Sequence, residues 1–470
     1  MEKYGFESSF SKEVMAAVGQ LDASAPQKAK SVRDTRGLLW SSIDNFDTED
    51  LDQIEYCERG GNGEINVKVG IADVDAYVPK DGTIDLFAQA NTISVYTGVQ
   101  TFPMFPDRLS KDLSSLPPNQ DRLALVIEYS VMPDGRVKPG EVYRAVVRNK
   151  AKLVYEEVGA WLENRGPMPK LIADSKELEA QIRLQDEASE KLGQYRAGQG
   201  ALALRTLQAR AVIKDEKVLD LVLVEEDKAK RIIENFMIGA NGVTSSLLED
   251  TGMPTIQRIV RTPKYWDEIV DLAKEKGTKL PRMPSAKALS VFLDVEKQKD
   301  PERFPDLSLA IVKLLGPGEY VMYDKKNPIG HFCLAVSHYT HSTAPNRRYV
   351  DLIIQRMLKA YLEKRPSPYG KKELGVAAEW CTDREQAAKR VERFMVKAEA
   401  AQLLQGRIGQ TFDAMITGAS DKGVYARIFE PPVEGKIVSR VKNVHVGQKV
   451  RVRLIDLDPQ NGFIDFELAR

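Results

Sequence analysis

Asp44, Asp47, Glu49, Asp50 and Asp52 place five carboxylates within nine positions, in the stretch SSIDNFDTEDLDQI. Carboxylates this close raise one another's pKa and repel, a cost that a cation removes. Hard oxygen donors suit Mg²⁺, and Mg²⁺ held by carboxylates points to phosphoryl chemistry. Asp50 and Asp52 are two apart, so on an extended segment their side chains share a face. Asp44 ends an apolar strand-like run, and the NFDTE loop can return the chain to the same point. A solvated acidic loop is the plain alternative.

A second cluster lies at 338–356, in HYTHSTAPNRRYVDLIIQR. Arg347 and Arg348 stand where an amphipathic helix begins, and the macrodipole disfavours positive charge there. The guanidinium fork matches a phosphate or a carboxylate, so a phosphate target or an ion pair with an acidic loop would explain them. His338 and His341 are three apart, but the third and fourth ligands of a zinc site are missing. Core or hydrogen-bonding roles are expected for both.

The elements around these clusters are mixed. GLLWSSID, INVKVGIADVDAYV, DRLALVIEYSVM and EVYRAVVRNKAKL read as strands, with a hairpin turn at the PDG of 133–135. Residues 155–315 read as mostly helical, interrupted by a strand pair near ALALRTLQARAVI and KVLDLVLV. Two amphipathic helices follow, VDLIIQRMLKAYLEK and AAKRVERFMVKAEAAQLL. Beyond Gln405, five short strands in about 65 residues suit a Greek-key barrel of OB type. Ser11 caps a short helix through Gln20, which Ala23–Pro26 breaks. The expected division is a short helical N-terminal segment (1–32), an α+β domain (33–406) and an all-β barrel (407–470).

Composition excludes more than it specifies. Lys+Arg and Asp+Glu balance at 68 each, so net charge does not advertise a nucleic-acid partner, although a local basic groove is compatible with it. Cys57, Cys333 and Cys381 are few, odd in number and far apart, which argues against disulfides and fits a reducing cytoplasm. No apolar run is long enough for a membrane span, and the first residues lack a signal-peptide core.

Taken together, several blocks resemble the ribonuclease II/R family and its RNB domain. IDNFDTEDLDQ is similar to the family's catalytic acidic motif, and VGIADVDAYV to the strand after it. FPMFPDRLSKDLSSLPPNQDRLALVIEYSV is similar to its Leu-Ser block, and HYTHSTAPNRRYVDLIIQR to its Arg-Arg-Tyr motif. The order agrees across about 38–400, and 407–470 resembles the S1-type OB domain that ends such enzymes. The resemblance implies a mixed sheet packed with helices around an RNA channel. It also implies a processive hydrolytic exoribonuclease that cuts RNA from its 3′ end to nucleoside 5′-monophosphates.

Position by position, the resemblance implies that Asp44, Asp50 and Asp52 are three of four catalytic, metal-holding aspartates. Arg347 falls on the arginine at the scissile phosphate, followed by Arg348 as an RNA contact. Tyr96 falls where an aromatic ring stacks the terminal base, a sequence-tolerant contact worth about 1–3 kcal/mol. Tyr155 and Glu234 align with residues that sense the 2′-hydroxyl, the group that tells RNA from DNA, and Glu392 with a late acid near the site. Mg²⁺ is the implied cofactor, with Mn²⁺ as an alternative and no organic group. RNA with a single-stranded 3′ end is the implied partner, and a monomer is expected because a channel within one chain needs no second copy.

The sequence departs from the family in three places. Gln53 stands where the fourth aspartate is expected, and glutamine can orient a water but cannot ionise. Ala344 and Asn346 replace Ser and Ile in the arginine motif. About 32 residues precede the catalytic part, too few for the paired cold-shock domains, so relaxed selectivity towards structured RNA is expected. Gln53 also opens an alternative: an RNA-binding protein whose RNB domain is slow or inactive. Glu49 or Asp47 could supply the missing carboxylate in the active reading.

Overall fold

Ile65, Val67, Val69 and Ile71 are buried, while Asn66 and Lys68 between them are half-buried. This alternation makes Ile65–Ala72 a strand, β4, with one face turned into the core. A computed structural model describes residues 1–24, 32–205, 208–214, 217–224, 226–420, 423–439, 444 and 447–469. In chain order, β4 follows β1 (Arg33–Asp34), β2 (Ser41–Asp44) and β3 (Gln53–Arg59). After it come a two-strand ribbon, β5 (Val95–Tyr96) with β6 (Thr101–Phe102), then β7 (Asp121–Val131), β8 (Val137–Arg148) and β9 (Ala151–Val154). All but the ribbon form a seven-stranded sheet in the order β1-β8-β7-β4-β3-β2-β9. Its two edge strands, β1 and β9, pair parallel to their neighbours, and the rest pair antiparallel.

The structure revises several element boundaries. EVYRAVVRNKAKL is two strands, β8 and β9, because Asn149 turns inward between them. Its amide donates to Leu116 O and Ser42 Oγ and its oxygen accepts from Ala151 N–H, which replaces the ladder at that corner. VGIADVDAYV leaves the sheet at Ala72, and QIEYCER forms a strand the sequence pattern did not announce. Six helices matter to the site: α1 (Lys12–Gly19), α2 (Thr83–Asn91), α3 (Tyr155–Leu162), α4 (Lys176–Gln199), α5 (Lys228–Asp250) and, after three more described helices longer than a turn, the segment Tyr349–Leu362. The last helix begins at Lys371, well before the expected AAKRV, and runs unbroken to Leu403. A small sheet, Ile256–Val260 with Gly318–Met322, was also not foreseen.

Helices α4 and α5 cover one face of the sheet. Gln181 of α4 bonds both the N–H and the carbonyl of Cys57, where β2 is too short to pair with β3. The buried Tyr129 hydroxyl donates to Phe236 O of α5. At the N-terminus, Ser11 Oγ accepts from Val14 N–H and starts α1 as expected. Ala25 and Pro26, half of the expected break, lie outside the described residues. Phe6 is buried beneath the Arg384 guanidinium, 3.7 Å from its ring centroid, so this segment is docked on the final helix.

Five strands at the C-terminus, Thr411–Ser420, Gly423–Ile428, Glu434–Ile437, Lys449–Asp458 and Phe463–Leu468, close a barrel. Ile416, Ile428, Leu454 and Phe466 fill it, and Ala400, Ala401 and Leu404 at the end of the long helix join the same core. Arg427 of the barrel also pairs with the buried Asp306 at 3.0 Å. Among the described residues no helix is long and apolar enough to cross a membrane, and all three cysteines are free.

Candidate active site

The acidic run is the connection between β2 and β3. Antiparallel pairing of Ser41 with Glu55 puts Asp44, at the end of β2, and Gln53, at the start of β3, at the same end of the two strands. Three clamps shape the loop between them. Asp44 Oδ1 accepts from the Asn45 N–H and from Thr48 Oγ1. Lys152 Nζ donates to the carbonyls of Phe46 and Thr48. Ser115, from the Leu-Ser block, donates to Glu49 O and accepts from Leu51 N–H. These contacts explain why that block accompanies the acidic motif. Asp47 and Glu49 face solvent, and Glu49 pairs with Lys111 at 3.3 Å.

Asp52 is 2% exposed and meets the arginine cluster directly. Its Oδ1 accepts the Asn346 N–H at 3.0 Å and its Oδ2 accepts Arg347 Nε at 3.1 Å. Burial pushes its carboxyl up to about 7, with Asp50 adding to the rise while Arg347 and the Asn346 N–H oppose it. Burial also raises Asp50, and Asp44 adds to it. The site therefore concentrates carboxylates whose ionised forms lack enough positive charge. Arg347 is exposed, and among the described residues its terminal nitrogens have no hydrogen-bond partner, which leaves their donors unused by the protein.

Arg347 and Tyr96 are positioned by the same backbone. Ser94 N–H donates to Arg347 O, Tyr349 N–H donates to Thr92 O, and Ile93 bridges Arg348. Tyr96 is 41% exposed. Its hydroxyl is pushed up by the protein around it and further by Asp50, Asp52 and Asp44, with Arg347 opposing, so the ring looks onto the cluster. Glu392 Oε1 accepts the Tyr96 N–H at 3.4 Å. About two turns further along, Glu399 lies under Gly98. Gly98 has φ +80, and a Cβ there would stand 2.5 Å from Glu399 Oε1, so a side chain at this one position would be strained and would crowd the carboxyl.

Glu399 is 3% exposed, and its Oε1 has no hydrogen-bond partner among the described residues. Burial raises its pKa from 4.5 to about 7, against the opposing Val99 N–H. The unfolded chain thus releases this proton near pH 4.5, and the folded chain only near 7. The resulting penalty on folding is absent below the lower value, grows between the two and is complete above the upper. Glu399→Gln is expected to stabilise the protein by about 1–3 kcal/mol at pH 8 and by little at pH 4. Urea midpoints of variant and parent at the two pH values test this. An equal gain at both would contradict it.

Tyr155 begins α3 directly after β9, and β9 pairs Val154 with Asp44. Its hydroxyl is raised by burial and then by Asp44 and Glu55, so it adjoins the cluster. Glu234 does not share those neighbours. Its carboxyl, raised by burial, is set against Arg196, Glu226 and Arg231, and it lines a cavity of about 430 Å³ with Arg205 and Lys297. Arg348 makes a bidentate pair with the buried Asp351, both bonds at 2.8 Å, and Asp351 Oδ1 also accepts the Ala344 N–H. The geometry gives Arg348 a partner within the protein and a role in fixing residues 344–347. His341 Nδ1 lies 2.8 Å from the Tyr320 hydroxyl and His338 Nδ1 lies 2.5 Å from Glu249, in the hydrogen-bonding roles expected.

Among the described residues, no group of three His, Cys, Asp or Glu side chains is arranged to hold a metal ion. Arg347 occupies one oxygen of Asp52, and local donors occupy one oxygen of Asp44. The donor types fit a hard cation all the same, because these crowded carboxylates lack positive charge. Sequence reasoning missed Ser115, Lys152, Asp351 and the Asn346 N–H. It also missed Glu55, whose signal was its place two residues beyond Gln53 on one strand face.

The RNB domain profile matches residues 32–364, and the profile of the RNase II-type exonuclease C-terminal S1 domain matches 410–469. The chain is 29% identical to Ribonuclease R of Thermotoga maritima, over 93% of its own length and 65% of the relative's. It is 28% identical to Ribonuclease R 1 of Lactococcus lactis, over 98% and 59% respectively. It thus spans about three-fifths of these relatives. The apo form of Mycoplasma genitalium RNase R superimposes with a TM-score of 0.89 at 25% identity, covering 100% of this chain and 77% of that one. That enzyme has also been solved with ribose methylated single-stranded RNA and with double-stranded RNA.

Proposed function

Because the chain belongs to the RNB family, we propose that it is a processive 3′-to-5′ exoribonuclease that hydrolyses RNA to nucleoside 5′-monophosphates. Residues 33–406 form its catalytic unit and 407–470 an S1 barrel that holds RNA. The observation that carries this reading is the buried Asp52 in contact with Arg347, an arginine that also faces outward. Its relatives named Ribonuclease R support the choice of RNA as substrate. Single-stranded and duplex RNA are both proposed ligands, from the complexes of the Mycoplasma enzyme.

Each residue then has a task. Asp44, Asp50 and Asp52 would hold Mg²⁺, or Mn²⁺ in its place. When bound, such ions activate water and stabilise a departing oxygen. Arg347 directs its free terminal nitrogens at the phosphate and stabilises charge developing on it. Tyr96 stacks the base at the 3′ end, held in position by Glu392. Tyr155 and, more remotely, Glu234 face the ribose 2′-hydroxyl side. Arg348 orients the Arg347 segment through Asp351.

A time course with 5′-labelled single-stranded RNA and Mg²⁺ tests the reading. Stepwise shortening from the 3′ end with mononucleotide release is expected; intact RNA at every metal concentration would refute it. Gln53 favours one second reading, an RNA-binding protein with a slow RNB domain. In that case Gln53→Asp should raise the rate sharply, whereas the active reading expects little gain.

A further inference from the structure

Gln53 leaves the acidic motif one charge short, and the two acids nearest in the loop do not make it good. Glu49 is 67% exposed at its side chain and engaged by Lys111, and Asp47 is exposed. Glu55 is placed differently. It stands two residues after Gln53 on β3, so the two side chains leave the same face of the strand, about 6.8 Å apart along it.

Glu55 is 0% exposed. Neither of its oxygens has a hydrogen-bond partner among the described residues. Among the described residues it also has no ion-pair partner, and the charge it feels is that of Asp44, a like charge. A buried carboxylate is satisfied by hydrogen bonds to its lone pairs or by a cation, and without either it is held as the neutral acid, as burial holds Glu55 here. Glu55 has neither within the protein. A glutamine would fill nearly the same volume without the charge, as Gln53 does next to it. The unpartnered carboxyl therefore stands on the same strand face as the position where the motif lacks an acid, two residues further along.

Resting on the exoribonuclease reading above, we infer that Glu55 supplies to a divalent cation at Asp44 the negative charge that Gln53 lacks. The charge of the motif has moved two residues along one strand face. Gln53, itself buried, keeps an amide on that face, and Glu55 contributes the charge from two residues further along.

The test uses the full chain and Mn²⁺ alone as the probe, with binding followed by the electron paramagnetic resonance signal of free Mn²⁺. Glu55→Gln should lower Mn²⁺ affinity about tenfold or more. Without metal, the same variant should melt at a higher temperature than the parent, since it removes a buried unpartnered carboxyl. A merely structural glutamate would not give these opposite effects. Gln53→Asp added to Glu55→Gln should recover most of the affinity. Glu55→Leu, judged against near-UV circular dichroism of the parent, provides a second variant in which the loss of affinity should recur. Parental Mn²⁺ affinity in folded Glu55→Gln or Glu55→Leu overturns the inference, as does failure of Gln53→Asp to restore it. If the parent degrades RNA and binds Mn²⁺ as tightly as Glu55→Gln does, this inference alone falls. If the parent neither degrades RNA nor binds Mn²⁺, the exoribonuclease reading falls and takes the inference with it.

Discussion

Replacing Arg347 with alanine is expected to slow RNA hydrolysis roughly 10²- to 10³-fold, the size of effect seen when one charge-stabilising donor leaves a reaction centre. Two losses combine. The phosphate loses the guanidinium that faces it, and Asp52 loses the only cation in contact with it among the described residues. Asp52 already sits at about 7 with Arg347 in place. Without that partner it moves higher and takes up a proton at neutral pH, so its capacity to hold a cation falls as well. Arg347→Lys keeps a point charge but loses the planar fork and should fall between parent and alanine variant. Single-turnover rates and RNA binding by fluorescence anisotropy separate the effects. The rate should fall far more than the affinity. Equal losses in both would make Arg347 an anchor for RNA and nothing more.

Asp351→Ala is expected to cost about 3–5 kcal/mol of stability, the range for removing one partner of a buried ion pair. Asp351 is 0% exposed, and its carboxylate holds both the Arg348 guanidinium and the Ala344 N–H. The variant strands a half-buried arginine and frees the segment that carries Arg347. Urea unfolding should show a lower midpoint, and RNA hydrolysis should fall although Asp351 touches no substrate. Asp351→Leu combined with Arg348→Met should regain much of the stability, because apolar replacement of both partners removes the stranded charge. Activity should stay low, since the Ala344 N–H still lacks its acceptor. A double variant no more stable than Asp351→Ala would show that the cost came from packing.

The fold was legible where one residue pattern decides one element. The alternation in INVKVGIA and the evenly spaced barrel strands follow from side-chain periodicity and turn residues. The break at Asn149 was hidden because a polar side chain there substitutes for ladder bonds, which apolar pattern does not record. QIEYCER went unread because two of its buried positions carry Gln53 and Glu55, and polar residues do not announce a core-facing strand. The acidic cluster was legible from residue type. What satisfies it was not, since Asn346 and Arg347 reach Asp52 across 294 and 295 positions. Arg348 shows the limit of reading an arginine at a helix start: a carboxylate three residues on, Asp351, was already in the sequence as its partner.

In the proposed reaction, Asp44, Asp50, Asp52 and Arg347 serve the hydrolysis of RNA from its 3′ end. Digestion of a single-stranded RNA with Mg²⁺ in ¹⁸O-enriched water, followed by mass spectrometry of the nucleotides released, tests it most directly. Water attacks phosphorus, the bond to the preceding 3′-oxygen breaks, and that oxygen leaves as a hydroxyl. Nucleoside 5′-monophosphates are expected, each with one ¹⁸O on phosphate, lost one after another from the 3′ end. RNA that remains intact, or products whose phosphate carries no ¹⁸O, would contradict it.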